Sequence, residues 1–159
     1  MATYILDKES AVQFKLDQHL YNVIIRISSP SEELPHLRFE NIYRDILVLR
    51  FYDLEEERNG LRIFSEHDLK NTLKFFEMHR NCDNMVIHCE KGVSRSVGVA
   101  VGWFFFIDNR TSLYKIYHGN KYRPNRHIVE MFAKALNWNL KYINKWEKER
   151  YKNLTLTIR

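Results

Sequence analysis

Residues 88 to 96 read His88-Cys89-Glu90-Lys91-Gly92-Val93-Ser94-Arg95-Ser96. A thiol and a guanidinium six positions apart around a glycine are the parts of an oxyanion cage that contains a nucleophile. The apolar Met85-Val86-Ile87 leads in and Val97-Gly98-Val99-Ala100-Val101 leads out, so the stretch reads as strand, tight loop and helix. A loop at a helix N-terminus points unpaired N–H groups at one spot and adds the positive end of the helix dipole. Glu90, Lys91, Gly92, Val93 and Ser94 would then form a nest for phosphate oxygens, with Arg95 adding a planar two-pronged donor. The same field favours Cys89 as thiolate.

A thiolate that attacks phosphorus expels an alkoxide or phenoxide, which leaves readily only if it is protonated on departure. Asp53 is the first candidate for that acid, because it falls just past the apolar run Ile46 to Phe51; Glu55, Glu56 and Glu57 crowd the same loop. In the second step a cysteinyl-phosphate is hydrolysed and sulfur leaves, so Ser96 is the candidate hydrogen-bond donor to it. His88 precedes the nucleophile on a buried strand, where alternation turns its side chain away from Cys89. It is expected to order the loop from behind.

The elements that must position these residues are short apolar runs alternating with helical patterns. Asn22 to Ile27, Ile46 to Phe51, Met85 to His88 and Thr3 to Leu6 read as strands. Helical patterns cover Ser10 to His19, Leu69 to His79 behind a capping signal at Ser65-Glu66-His67-Asp68, Ser96 to Asp108, Thr111 to His118 and Asn125 to Tyr151. Asn125 is an N-cap candidate. The expected architecture is α/β: one domain over 1–159, a central, mainly parallel sheet of four or five strands flanked by helices, and a helical C-terminal part. Ligands of such sheets sit beyond the carboxyl ends of the strands. That edge should gather the Ser28 to His36, Tyr52 to Gly60 and Cys89 loops.

Composition narrows the setting. At 159 residues, 45% hydrophobic, with five Gly and three Pro, the chain can bury a single packed core. Two cysteines make no disulfide framework. No secretory signal pattern or membrane-length apolar run is present, so a reducing cytoplasmic location and a monomer are expected. No histidine and carboxylate cluster has metal-ligand spacing, and neither metal nor cofactor is expected. A net charge of +5 and a pI near 9.2 favour anionic partners: a phosphorylated protein, or a nucleic acid 5′ end. Cys82 is a candidate to trap oxidised Cys89 as a reversible disulfide. Trp103-Phe104-Phe105-Phe106, Trp138, Tyr142 and Trp146 read as core or helix packing.

His88-Cys89, Gly92 and Arg95-Ser96 resemble the signature of the cysteine-dependent protein phosphatases, and the short chain is similar to their compact dual-specificity branch. The resemblance runs from about Asn22 to Leu136, taking in Asp53 after a strand, the Leu69 to His79 helix and Arg123-Pro124-Asn125 in familiar order. The opening segment is most similar to small predicted tyrosine phosphatases of bacteria and their viruses. What it implies is Cys89 as nucleophile, Arg95 as phosphate clamp and transition-state stabiliser, Asp53 as general acid and later base, and Ser96 as stabiliser of the thiolate. The substrate implied is a phosphorylated protein, phosphotyrosine foremost. Arg123, Asn125 and Arg126, in a basic segment before a helix, are candidate substrate contacts. Two departures stand out. Asp53 lies 36 positions before Cys89, more than such enzymes usually show, with Arg58 to Arg62 as the apparent insertion. The aromatic motif that deepens the pocket of the larger tyrosine phosphatases is not recognisable, so phosphoserine and phosphothreonine stay open.

Three other readings compete. The same cage could serve an RNA 5′-triphosphatase, a silent phosphate-binding module or a rhodanese-type sulfur transferase. Cys89 and Ser96 argue against mere binding, and His88 and Arg95-Ser96 fit the transferase poorly.

Overall fold

The computed structural model describes residues 1–157, with side chains as far as Asn153; Ile158 and Arg159 of the expected 1–159 domain lie outside the described residues. Its elements are β1 Ala2–Leu6, α1 Lys8–Gln13, β2 Asn22–Ser28, β3 Tyr43–Arg50, α2 Glu66–Met78, β4 Asn84–His88, α3 Arg95–Phe106, α4 Arg110–His118, α5 Arg126–Ala135 and α6 Lys141–Thr157, with one 3₁₀ turn at Glu40–Ile42. Among the described residues four strands form one sheet in the order β1-β4-β2-β3, and every pairing is parallel. The α/β architecture with a helical C-terminal part is as expected. No described helix is long and apolar enough to cross a membrane.

Both central strands are buried on both faces, which explains their unbroken apolar runs. Val23, Ile25, Ile27, Met85 and Ile87 face a large core closed by α2 to α6. Ile24 and Val86 face a smaller one, covered by Phe14, Leu16, Leu37 and Phe39. That second face corrects the first helix. It spans Lys8–Gln13, capped by Asp7, whose side chain accepts from the Ser10 N–H. It does not continue to His19 because Phe14 and Leu16 are drawn onto the sheet, with the Phe14 ring 4.9 Å from that of Tyr4. Burial outweighs the weak helical preference of this stretch.

The C-terminal helix differs too. Residues 125–151 form two helices: Asn137 takes a left-handed φ of 55°, and Asn139 accepts from the Lys141 N–H at 2.9 Å to start α6. Asparagine tolerates that backbone region better than most residues. Asn125 caps α5 as expected, accepting from the Ile128 N–H at 3.1 Å. Close approach of α3 and α5 rests on Gly102, where a Cβ would stand 2.4 Å from the Phe132 ring. The contact sets the start of α5 against the Cys89 loop. Trp103, Phe104 and Phe105 are buried and Trp138 and Trp146 pack against the same core, whereas Tyr142 is exposed.

Candidate active site

All three expected loops meet at the carboxyl edge of the sheet. Cys89 follows β4 and is 2% exposed; its Sγ lies 3.1 Å from Ser96 Oγ in the first turn of α3. Arg95, also in that turn and 6% exposed, donates from Nη1 to the Phe51 carbonyl at 3.0 Å and to Ser29 Oγ at 3.1 Å. One prong of the guanidinium is thereby anchored to the loops after β2 and β3. Its Nε is buried with no partner among the described residues, the donor placement that an oxyanion clamp requires.

The loop carbonyls show which way the cradle faces. Glu90 O accepts from the Lys8 N–H at 3.2 Å, Val93 O from Arg123 N–H at 2.9 Å, and Ser94 O from Asn125 N–H at 3.2 Å. None of the described peptide bonds is cis. In a planar trans peptide the N–H opposes the C=O, so the N–H groups of Lys91, Ser94 and Arg95 point away from these outer contacts, into the loop. Gly92 makes the turn with φ 65°, and a Cβ there would stand 2.7 Å from the Asp7 nitrogen. No other residue fits under the β1–α1 corner. Lys8 Nζ pairs with Glu90 at 2.7 Å across the same corner.

Asp53 is bound to the cage itself. Its Oδ1 accepts from Ser94 Oγ at 2.7 Å and from Asn125 Nδ2 at 2.9 Å. Ser94 sits at the N-cap of α3 but makes no side-chain capping bond; its hydroxyl is spent on Asp53, and the α3 N-terminus stays open to an anion. Arg58 to Arg62 form an outward turn with Asn59 and Gly60 at positive φ. It closes where Arg62 O accepts from the Tyr52 N–H at 2.8 Å and Arg62 pairs with Asp68 at 2.7 Å. The extra residues therefore leave Asp53 against Ser94. Of the neighbouring carboxylates, Glu55 accepts from the Arg126 N–H at 2.9 Å, while Glu56 and Glu57 are exposed.

The three basic-segment candidates part company. Asn125 is 2% exposed and ties Asp53, Ser94 and α5 together. Arg126 pairs with Glu130 at 2.7 Å and Glu147 at 2.9 Å. Only Arg123 is exposed, its guanidinium donating to the Tyr122 carbonyl at 3.0 Å.

The Cys82–Cys89 pairing is overturned. Cys82 precedes β4 and Cys89 follows it, so an extended strand separates them by about 20 Å at roughly 3.3 Å per residue, far beyond the roughly 7 Å limit for a bridge. Burial also pushes the Cys82 thiol up to about 11, which makes it inert.

Behind the cage, His88 is fully buried, and its Nε2 accepts from Arg26 Nε at 3.1 Å. Burial, followed by the Arg26 charge, pushes the ring down to about 4. The unfolded chain therefore binds the extra proton first. Stability is expected to fall as pH drops from about 6.5 to about 4, by roughly 3 kcal/mol. Urea denaturation of wild type and His88→Gln across that range checks this: the substitution should flatten the slope, and equal slopes would contradict it. Sequence reasoning missed Arg26, Ser29 and Lys8. Arg26 had a signal, as the single charge inside Ile24-Ile25-Arg26-Ile27; the other two had none.

No protein-family model and no curated protein matches the sequence. Solved structures do. The chain is similar to human tyrosine phosphatase-like serine/threonine/tyrosine-interacting protein (19% identity, 84% of this chain and 89% of that one, TM-score 0.61). It is also similar to human DUSP28 (15% identity, 85% and 93%, TM-score 0.57) and to the PTP-2 phosphatase of Cydia pomonella (15% identity, 72% and 71%, TM-score 0.51).

Proposed function

We propose that this chain, which has the dual-specificity phosphatase fold, hydrolyses phosphate monoesters of proteins, phosphotyrosine foremost, through a cysteinyl-phosphate. The Cys89 thiolate attacks phosphorus in line with the leaving oxygen. Arg95 Nε and the loop N–H groups hold the non-bridging oxygens as charge spreads over them. Asp53 gives its proton to the departing oxygen. The carboxylate then takes a proton from the water that attacks phosphorus as the S–P bond breaks, and Ser96 Oγ stabilises the sulfur that leaves. No step draws on a metal or cofactor.

One observation carries the reading: Asp53 is fastened to the cage through Ser94 and Asn125. A carboxylate at the mouth of an anion site repels the anion, so a module built only to bind phosphate gains nothing from it. A proton donor for the leaving group must stand there.

Asp53→Asn tests this with little change of shape, since the amide oxygen can still accept from both donors. Hydrolysis of alkyl and phenyl phosphates should fall about 100-fold or more, and that of esters whose leaving group needs no proton should fall far less. Equal losses on both would move the acid role elsewhere. Substrate class is decided by phosphate release from phosphotyrosine, phosphoserine and phosphothreonine peptides and a 5′-triphosphate RNA, with Cys89→Ser as control. Preference for the RNA would replace the protein substrate with the alternative that the net charge of +5 also fits.

A further inference from the structure

Among the described residues β3 is an edge strand, so the segment that runs from its end to Asp53 has no strand on its outer side. Two successive peptides of that segment are nevertheless held from both sides. In the first, the Phe51 N–H donates to the Ser28 carbonyl at 3.0 Å, and the Arg50 carbonyl accepts from Arg62 Nη1. In the second, the Phe51 carbonyl accepts from Arg95 Nη1 at 3.0 Å, and the Tyr52 N–H donates to the Arg62 carbonyl at 2.8 Å. The N–H and C=O of a trans peptide point in opposite directions, so the inner contacts belong to β2 and Arg95 and both outer contacts to one residue, Arg62. It stands where the next strand would.

Arg62 is itself anchored. Its Nη2 meets Asp68 Oδ1 at 2.7 Å, and that carboxylate, 3% exposed, is fixed on its other oxygen by the N–H and the hydroxyl of Ser65, both at 3.0 Å. A buried carboxylate bonded in this way is a rigid post. Between Asp53 and Arg62 the chain turns back at Asn59 and Gly60, both at positive φ, with the Leu61 N–H donating to the Arg58 carbonyl at 2.9 Å, a tight hairpin reversal. Residues 55–62 are exposed, so packing does little to hold this strap. At its near end the Leu54 N–H closes on the Tyr52 carbonyl at 2.9 Å, a three-residue turn centred on Asp53. Tyr52 thus has its N–H on Arg62 and its C=O on Leu54, and both set the direction in which Asp53 leaves the strand.

We propose that Arg62 is a positioning residue for the general acid. With its guanidinium on Asp68 and the Arg50 carbonyl, and its own carbonyl on the Tyr52 N–H, it holds the start of the loop at the angle that sets Asp53 against Ser94 and Asn125. The extra residues Arg58 to Arg62, which lengthen the interval between Asp53 and Cys89, thereby brace the acid. That Asp53 acts as an acid rests on the phosphatase reading; the brace itself does not.

Hydrogen exchange reads the brace without any turnover. The Tyr52 amide should be protected in the wild type and exchange about 10-fold faster or more in Arg62→Met, with the amides of β2 and β4 unchanged, because the loss is a local opening. An equal Tyr52 rate in the two proteins would overturn the inference. Kinetics read the consequence. Arg62→Met should lower kcat on phenyl phosphate about 10-fold, since a misplacement of about 1 Å can cost up to about 100-fold. On p-nitrophenyl phosphate, whose leaving group needs no proton, the loss should stay below about twofold. Arg62→Lys, whose ammonium reaches Asp68 or the Arg50 carbonyl but not both, should fall between. In an Asp53→Asn background, Arg62→Met should cost less than about twofold on phenyl phosphate as well, because it acts through Asp53. Equal losses on the two esters, or an undiminished loss in the Asp53→Asn background, would refute the role. A wild-type protein whose Tyr52 amide is protected through Arg62 but which hydrolyses neither ester would instead refute the proposed activity and leave the brace standing.

Discussion

Cys89→Ser is expected to abolish turnover and to leave binding intact. The hydroxyl replaces sulfur in a site 2% exposed where Ser96 Oγ, 3.1 Å from Sγ, can donate to either atom, so the loop should keep its shape. What is lost is the sulfur nucleophile of the proposed mechanism: a serine hydroxyl without an adjacent base does not attack phosphorus at neutral pH. His88 does not serve as that base, since its Nε2 is engaged by Arg26, and Asp53 is held by Ser94 and Asn125 instead. Turnover should fall by about 10⁴-fold or more, as when the nucleophile of a coupled catalytic unit is removed. Calorimetric titration with a phosphotyrosine peptide should give a Kd within a few-fold of wild type, because the N–H cradle and Arg95 remain. Measurable hydrolysis by Cys89→Ser would remove the covalent mechanism. Loss of binding along with turnover would mean that the thiolate shapes the cage.

Arg95→Ala should lose both. Its Nη1 anchors the loops after β2 and β3 through Ser29 and Phe51, and its buried Nε meets no acceptor among the described residues. Alanine therefore takes away the clamp and unties the walls around it. An arginine that stabilises a phosphoryl transition state is worth about 10³- to 10⁵-fold in kcat, and a loss in this range is expected, with peptide affinity falling as well. Arg95→Lys separates charge from geometry. The ammonium keeps the positive charge but cannot reach Phe51 O, Ser29 Oγ and two phosphate oxygens together. It should therefore resemble alanine in kcat and recover part of the binding. Near wild-type turnover by Arg95→Lys would show that the two-pronged geometry contributes nothing.

Much of the site was legible because its chemistry is local. Cys89, Gly92, Arg95 and Ser96 lie within eight residues, and the run from apolar strand to apolar helix dictates a tight turn whose N–H groups converge. A strand buried on both faces announces itself as an unbroken apolar run, so the parallel sheet and its carboxyl edge followed as well. Less legible was whatever depends on how distant segments meet. Its place just past a strand favoured Asp53 over Glu55, but their different partners, Ser94 and Asn125 for Asp53 and the Arg126 N–H for Glu55, had no signal. The first helix ended early because Phe14 and Leu16 had a sheet face to cover, a demand invisible in a window of ten residues. The C-terminal pattern hid a break at Asn137, where one residue of positive φ costs little and the apolar spacing carries on.

From the sequence alone came the loop and the roles proposed for it, because covalent neighbours dictate it: which atom would attack, which group would clamp, and that a helix dipole lies behind them. The fold class came the same way, from the periodicity of apolar residues. The tertiary structure decided what those atoms face. It brought Asp53 against Ser94 across 41 positions, set Arg95 upon Ser29 and Phe51, kept Cys82 at the far end of β4, and put Arg26 behind His88 through strand register. Those contacts arise from sheet order and helix packing, which sum many weak burial terms over the whole chain and leave no mark on any short stretch of it.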